Sequence, residues 1–368
     1  GDVYKRQLME KYDWDFLVSV FDGIDAVCHF FWKYLDVHHP LYDPEGAKKY
    51  SKAIPLVYKK VDEAVGRILR DVDEDTVVMV VSDHGFGPVY YGVYVNNWLL
   101  DKKLMRVKVD PLTLLKHWLF KHGFNVYNLF KLARSLGLVH STTPAYSMGS
   151  KLVSLSKTFA PSLNDIDWSR TLVYSCGNYG PLYINQRGRE AQGIVEPGLE
   201  TSRLTQRLSE EVGKLTDPEN GAVIFDQIFT KNSVYSGPYT KDAPELIALN
   251  REMKYHAHRM FEMASDRLVA PHPFYSGGHK LDGILVIRGR NVKIGEAPRA
   301  FSIYDVTPTI LHIMGLPVPD DMDGSAMVEV LREKSGLSWE MEQVPLSLRV
   351  IKNGVNYRVL NYECTYRF

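Results

Sequence analysis

Cysteine is scarce in this chain of 368 residues: Cys28, Cys176 and Cys364 are all there are, and none stands in a CxxC pair. That excludes a zinc ribbon and a disulfide framework. It points to a reducing compartment, so a cytoplasmic location is the expectation. Long hydrophobic runs are missing too. No stretch reaches the ~18 consecutive apolar residues of a membrane-spanning helix. Nor is there an excess of charge of either sign, with 44 Lys+Arg against 44 Asp+Glu. Such a balance offers no evident nucleic-acid or anionic-membrane surface, although it is compatible with a small anionic substrate. Neither an initiator methionine nor a signal peptide stands at the start. The opening Gly1-Asp2-Val3-Tyr4-Lys5-Arg6-Gln7 reads as a leader rather than native sequence, and the chain is expected to begin mid-protein. What is present is a 45% apolar composition, enough to build a packed core in one large domain or two ordinary ones.

Two apolar segments read as buried strands, Trp14 to Phe21 and Thr76 to Val81. The first ends in the polar turn Asp22-Gly23-Ile24-Asp25, the second in Ser82-Asp83-His84-Gly85-Phe86-Gly87-Pro88, which is expected to turn on its glycines. Between them, Ala47 to Arg70 has the three-and-four spacing of an amphipathic helix, with Pro55 marking a kink or a late start. Strand, helix, strand is a βαβ unit, so the fold class expected is α/β with a doubly wound, mostly parallel sheet. Ligands of such sheets bind beyond the carboxyl ends of the strands, where Asp25 and Asp83 stand.

Leu112 to Leu138 is rich in Leu, Phe and Trp with scattered Lys and Arg, and reads as amphipathic helices packing as a lid, with a membrane-surface role as the alternative. Ser141 to Pro161 reads as loop, Leu172 to Asn185 as a hairpin around Cys176-Gly177-Asn178-Tyr179-Gly180, and Leu199 to Leu215 as a helix. Ala222 to Phe229 and Glu245 to Leu249 are candidate strands. The core is expected to resume with a tight turn at Ser276-Gly277-Gly278-His279 and a strand over 283–289. A helix capped by Asp305 follows, stopped at Gly315-Leu316-Pro317. A strand pair turned at Asn353-Gly354 closes the chain. The division expected is 14–100 and 271–335 as a core, 101–270 as an inserted α+β lid, and 336–368 as the C-terminal strand pair.

The chemistry-bearing residues gather at the predicted strand ends. Asp25 and His29 share one helix face at i, i+4 spacing; Asp83 and His84 follow the second strand; His279 precedes the third. Three imidazoles and two carboxylates make a sensible ligand inventory for two divalent ions, zinc first and manganese as the alternative. The other histidines, among them His38, His39, His256, His258 and His272, are read as ordinary solvated polar residues rather than ligands. Phe86 and Trp32 are read as core or pocket wall.

In order, these residues resemble the motifs of the alkaline phosphatase superfamily, specifically its type I phosphodiesterase/nucleotide pyrophosphatase branch and the phosphohydrolase and phosphomutase relatives. D-x-x-x-H is Asp25-Ala26-Val27-Cys28-His29, S-D-H-G is Ser82-Asp83-His84-Gly85, and G-x-H is Gly277-Gly278-His279. Asp36, His39-Pro40, Tyr304-Asp305-Val306-Thr307-Pro308-Thr309 and Asp323-Gly324 look family-like as well, so the resemblance runs over about residues 14 to 330. It implies an alkaline phosphatase-like fold and a metal-dependent phosphoester hydrolase of the phosphodiesterase/nucleotide pyrophosphatase type, working by a two-metal displacement at phosphorus through a covalent intermediate. It implies one zinc on Asp25, His29 and His279 and a second on Asp83 and His84. The family's remaining Asp and its Thr or Ser nucleophile have no counterpart before Trp14. No catalytic nucleophile is therefore assigned in this chain, and it is expected upstream. The alternatives are a catalytically incomplete fragment, a metal-binding module, and phosphomutase or sulfatase-type chemistry on the same ligands.

Overall fold

The structure is a computed structural model that describes residues 2–137, 161–258, 265–272, 275–332 and 343–344. The expected loop over 141–160 and the strand pair turned at Asn353-Gly354 lie outside the described residues. The strands that matter are β1 Val78–Val81, β2 Gly85–Pro88, β3 Tyr91–Val93, β4 Val173–Ser175, β5 Pro181–Ile184, β6 Gln227–Thr230, β7 Leu246–Leu249, β8 Tyr255–Ala257, β9 Val269–Pro271, β10 Gly277–Lys280 and β11 Leu285–Arg288. No described helix is long and apolar enough to cross a membrane. The chain divides into two compact units, one of Gly1–Asp22, Tyr58–Gly85 and Leu281–Phe368, the other of Gly23–Val57 and Phe86–Lys280.

In the first unit β1 and β11 pair antiparallel, with Met79 opposite Ile287. Ser82 locks the end of the ladder: its N–H donates to Ile284 O at 3.0 Å, and its Oγ accepts from Ile284 N at 2.8 Å. The β1 run does not bury both faces as its apolar sequence predicts. Val80 and Val81 are exposed, because β1 has a single strand neighbour among the described residues. Trp14 to Phe21 forms no strand; Val18 and Val20 stand exposed there. A β-branched stretch becomes a strand only when a partner takes up its backbone groups, and none of the paired strands takes up this one.

The helix Val306–Ile313 has Asp305 at its N-cap position, but the Asp305 side chain does not cap it. Asp305 serves a capping box from Ser302 instead, its Oδ2 accepting from Ser302 N at 3.0 Å. Its Oδ1 accepts from Ser325 N at 2.9 Å, and Thr309 Oγ1 accepts from Met327 N at 2.8 Å. A Cβ on Gly324 would collide with the Tyr304 carbonyl. The Tyr304–Thr309 and Asp323-Gly324 segments thus hold each other, a structural role. Gly315 at φ +69° stops the helix.

The second unit carries the larger core. β4, β5, β7 and β6 form an antiparallel sheet in that order, and β8, β3 and β9 a three-stranded one in which β3 runs parallel to β8. Leu99, Ile166, Val173, Leu182, Ile184, Leu246 and Val212 are buried together; each contributes about 2 kcal/mol by leaving water. The expected hairpin is β4–β5 and the expected helix is Leu199–Val212; the candidate strand over 245–249 forms as β7, whereas that over 222–229 becomes a strand only from Gln227, as β6. Ala47 to Arg70 is two helices, Pro44–Tyr50 and Ala53–Asp71, and Pro55 sits in the first turn of the latter, where its missing N–H costs nothing.

A cluster of titratable side chains at the second unit's helix–strand contact

The helix Gly23–Leu35 has an apolar stripe at Ile24, Val27, Cys28, Phe31 and Trp32, which packs with Ile54, Val57 and Phe86. That stripe turns the adjoining Asp25–His29 row toward β10. Asp25 lies in the first turn, where a carboxylate is favoured by the helix dipole. β10 approaches this helix closely because residue 277 is glycine: a Cβ there would run into the carbonyl oxygen of Cys28. The Ser276 N–H donates to His29 O at 2.8 Å and fixes the register. Alternation along the strand puts Gly277 and His279 on one face. The Ser276–His279 segment is therefore a strand, not the tight turn its glycines predict, and neither Gly277 nor Gly278 takes a positive φ. Gly85–Pro88, also expected to turn, is its partner strand β2. The glycines serve close approach rather than chain reversal.

Asp25, His29 and His279 converge, one ligand atom from each lying within 4.8 Å of the others. The two Nε2 atoms are 3.1 Å apart. Asp25 Oδ1 is 3.2 Å from His279 Nε2, and Asp25 Oδ2 is 3.5 Å from His29 Nε2. His29 Nδ1–H donates to Gly277 O at 2.8 Å, which leaves its Nε2 lone pair facing the other two groups. Phe86 packs edge-on to His29 at 4.9 Å between centroids and Tyr275 lies on it at 4.7 Å. Behind, Phe86 stacks on Trp32. The Asp25 side chain is 45% exposed, so one side of the cluster is open to a ligand.

Asp83 and His84 belong to the other compact unit. His84 Nε2 lies 3.6 Å from Asp83 Oδ2, and His84 Nδ1–H donates to Gly85 O at 3.0 Å. Among the described residues, Asp25, His29 and His279 are the group of three or more His, Cys, Asp or Glu that could hold an ion.

Two features escape the sequence reading. Tyr179 Oη lies 3.0 Å from His279 Nδ1. Its signal was the pair of glycines around it in the β4–β5 turn. The second feature is a set of packed histidines. His39 Nε2–H donates to Val89 O at 2.9 Å and Ser276 O at 3.1 Å, while its Nδ1 accepts from Leu41 N; burial holds it neutral by lowering its pKa. It is a clamp on β10. His256 lies edge-on to Tyr179, and burial, then the charges of His258, His279 and His29, pull it from 6.5 to about 4. A histidine with a depressed folded pKa binds fewer protons folded than unfolded. Its stability contribution is complete above 6.5 and is lost as pH falls toward about 4. Acid should therefore destabilise the protein by roughly 3 kcal/mol through this residue. The check is a series of urea unfolding curves between those pH values, in which His256→Phe flattens the slope.

Residues 3–133 match the family model described as type I phosphodiesterase / nucleotide pyrophosphatase. The match contains Asp25, His29, Asp83 and His84; His279 lies beyond it. No curated protein matches the chain. Over those residues the chain is similar to that family, which is consistent with the type I phosphodiesterase/nucleotide pyrophosphatase branch of the alkaline phosphatase superfamily.

Proposed function

We propose that the protein is a metal-dependent phosphoester hydrolase of the phosphodiesterase/nucleotide pyrophosphatase type, working by displacement at phosphorus through a covalent intermediate. The observation that carries this reading is the convergence of Asp25, His29 and His279. Two imidazoles and a carboxylate suit zinc, with manganese as the alternative. The fit goes beyond residue type: the hydrogen bond from His29 Nδ1 to Gly277 O leaves a lone pair on Nε2, the form a ligating imidazole must take. In this proposal Asp25, His29 and His279 hold one ion, and Asp83 and His84 contribute to a second. When bound, such ions supply Lewis-acid neutralisation of the charge that builds on phosphoryl and leaving oxygens.

The chain's own groups set the stage for that chemistry. The Asp25 carboxylate offsets cationic charge at the mouth of the cluster. Gly277 O holds the His29 proton at Nδ1. Phe86 and Tyr275 cover the His29 ring and keep water off one side of it. Residues 101–270 act as a lid that selects the leaving group, and an α/β doubly wound, mostly parallel sheet is part of the same proposal.

A second reading, one bound metal and no turnover, is favoured by a specific observation: Asp83 and His84 do not complete a group of three among the described residues. Metal analysis separates the two. In the full-length protein the hydrolase reading expects two zinc ions per chain and hydrolysis of bis-p-nitrophenyl phosphate ahead of the p-nitrophenyl monoester. One zinc and no hydrolysis of either ester would favour the second reading, and no zinc would sink both. Preference for an aryl sulfate would move the activity to the sulfatase-type variant.

A further inference from the structure

Tyr179 reaches the triad from the long segment between the motifs, on the turn that joins β4 to β5. The turn is unusual. Gly177, Tyr179 and Gly180 have φ of +120°, +66° and +60°. The left-handed region is one a bulky aromatic residue seldom occupies, and structures keep such conformations mainly where function uses them. The turn is also pinned to the sheet behind it. Ala248 N–H donates to Gly180 O at 3.1 Å, and a Cβ on Gly180 would collide with the Ala248 carbonyl. Tyr179 is thus aimed by a backbone that permits little else. Its ring rests edge-on against His256 at 5.1 Å, and its hydroxyl lies 3.0 Å from His279 Nδ1.

The two imidazoles of the triad pose the same requirement. Each must carry its proton on Nδ1 to turn an Nε2 lone pair toward Asp25. For His29 the acceptor is the Gly277 carbonyl; for His279 the oxygen in reach is the Tyr179 hydroxyl. We infer that Tyr179 is a positioning residue of the metal site, its hydroxyl oxygen accepting from His279 Nδ1–H and so fixing the ligating tautomer. The segment between the motifs is then part of the outer shell of the site, and its sheet controls metal affinity through one side chain. This rests on the metal reading above.

The test uses Tyr179→Phe, which keeps the ring against His256 and removes only the hydroxyl. Zinc affinity, measured by competition with a chromophoric chelator, should fall about 10- to 100-fold. In the zinc-loaded protein the His279 Nδ1–H should give a downfield 1H–15N NMR resonance that exchanges slowly with water in the wild type and is lost to exchange in the variant. If Tyr179 merely packs, Phe serves as well: affinity within twofold of wild type with an unchanged His279 Nδ1–H resonance would overturn the inference. Wild-type protein that takes up no zinc would defeat the metal reading itself, whereas zinc uptake that Tyr179→Phe leaves unchanged would defeat this inference alone.

Discussion

Removing the His279 imidazole with His279→Ala is expected to weaken zinc binding on the order of 100-fold or more. Apparent free energies of about 10–16 kcal/mol for four-ligand zinc sites apportion to roughly 3 kcal/mol per ligand, and each 1.4 kcal/mol is a factor of ten. The loss should exceed that of Tyr179→Phe, because a donor is removed rather than misoriented. It should also leave the fold intact. His279 is near the end of β10, its side chain is 31% exposed, and the backbone bonds and Gly277 contact that hold β10 to the helix do not involve its ring. Zinc titration against a chelator gives the affinity, and thermal unfolding of the metal-free proteins gives the fold. Unchanged affinity would remove His279 from the ligand set.

The largest stability effect is expected at Glu245, which is buried at 2% exposure in the unit that carries the triad. Its carboxylate accepts from Arg189 Nη1 at 2.7 Å and Nη2 at 3.1 Å, from Lys231 Nζ at 3.0 Å, and from Ile184 N at 2.8 Å. Burial alone would raise the carboxyl pKa; the Arg189, Ile184 and Lys231 bonds outweigh it and hold the group below its ordinary value. Glu245→Ala leaves the Arg189 and Lys231 cations without this counter-charge and should cost about 3–5 kcal/mol. For a chain of this size that lowers the thermal midpoint by roughly 4–6 °C. The pH signature has a definite sign. With the folded pKa depressed, the contribution is complete above the ordinary value near 4.5 and is lost as pH falls through the depressed one. A loss below about 1 kcal/mol would mean that the network relaxes around the gap.

The triad was readable in the sequence because each part has a local cause. Asp25 and His29 are four residues apart beside an apolar stripe, so the helix that the stripe demands brings them together. The glycines before His279 marked a backbone that had to come close to something. What they approached, the Cys28 carbonyl, was not readable, and the same glycines invited the wrong assignment of a turn. Pairing partners were hidden for the same reason. A run such as Val78–Val81 announces a strand, but its composition does not say that Leu285–Arg288 will lie antiparallel beside it. Trp14 to Phe21 is the converse case: its apolar run promised a strand, and none of the paired strands lies beside it. Tyr179 lay furthest from reach. Its role depends on three left-handed residues and on a contact across 100 positions of chain, neither of which periodicity records.

The proposed hydrolase requires zinc held by Asp25, His29 and His279. Zinc K-edge absorption of the protein carrying one equivalent of the metal tests this directly. The spectrum should show a shell of nitrogen and oxygen at about 2.0–2.1 Å with the outer scattering of two imidazoles. In His279→Ala that scattering should fall to one imidazole. A shell containing sulfur at about 2.3 Å, or one with no imidazole scattering, would contradict the assignment.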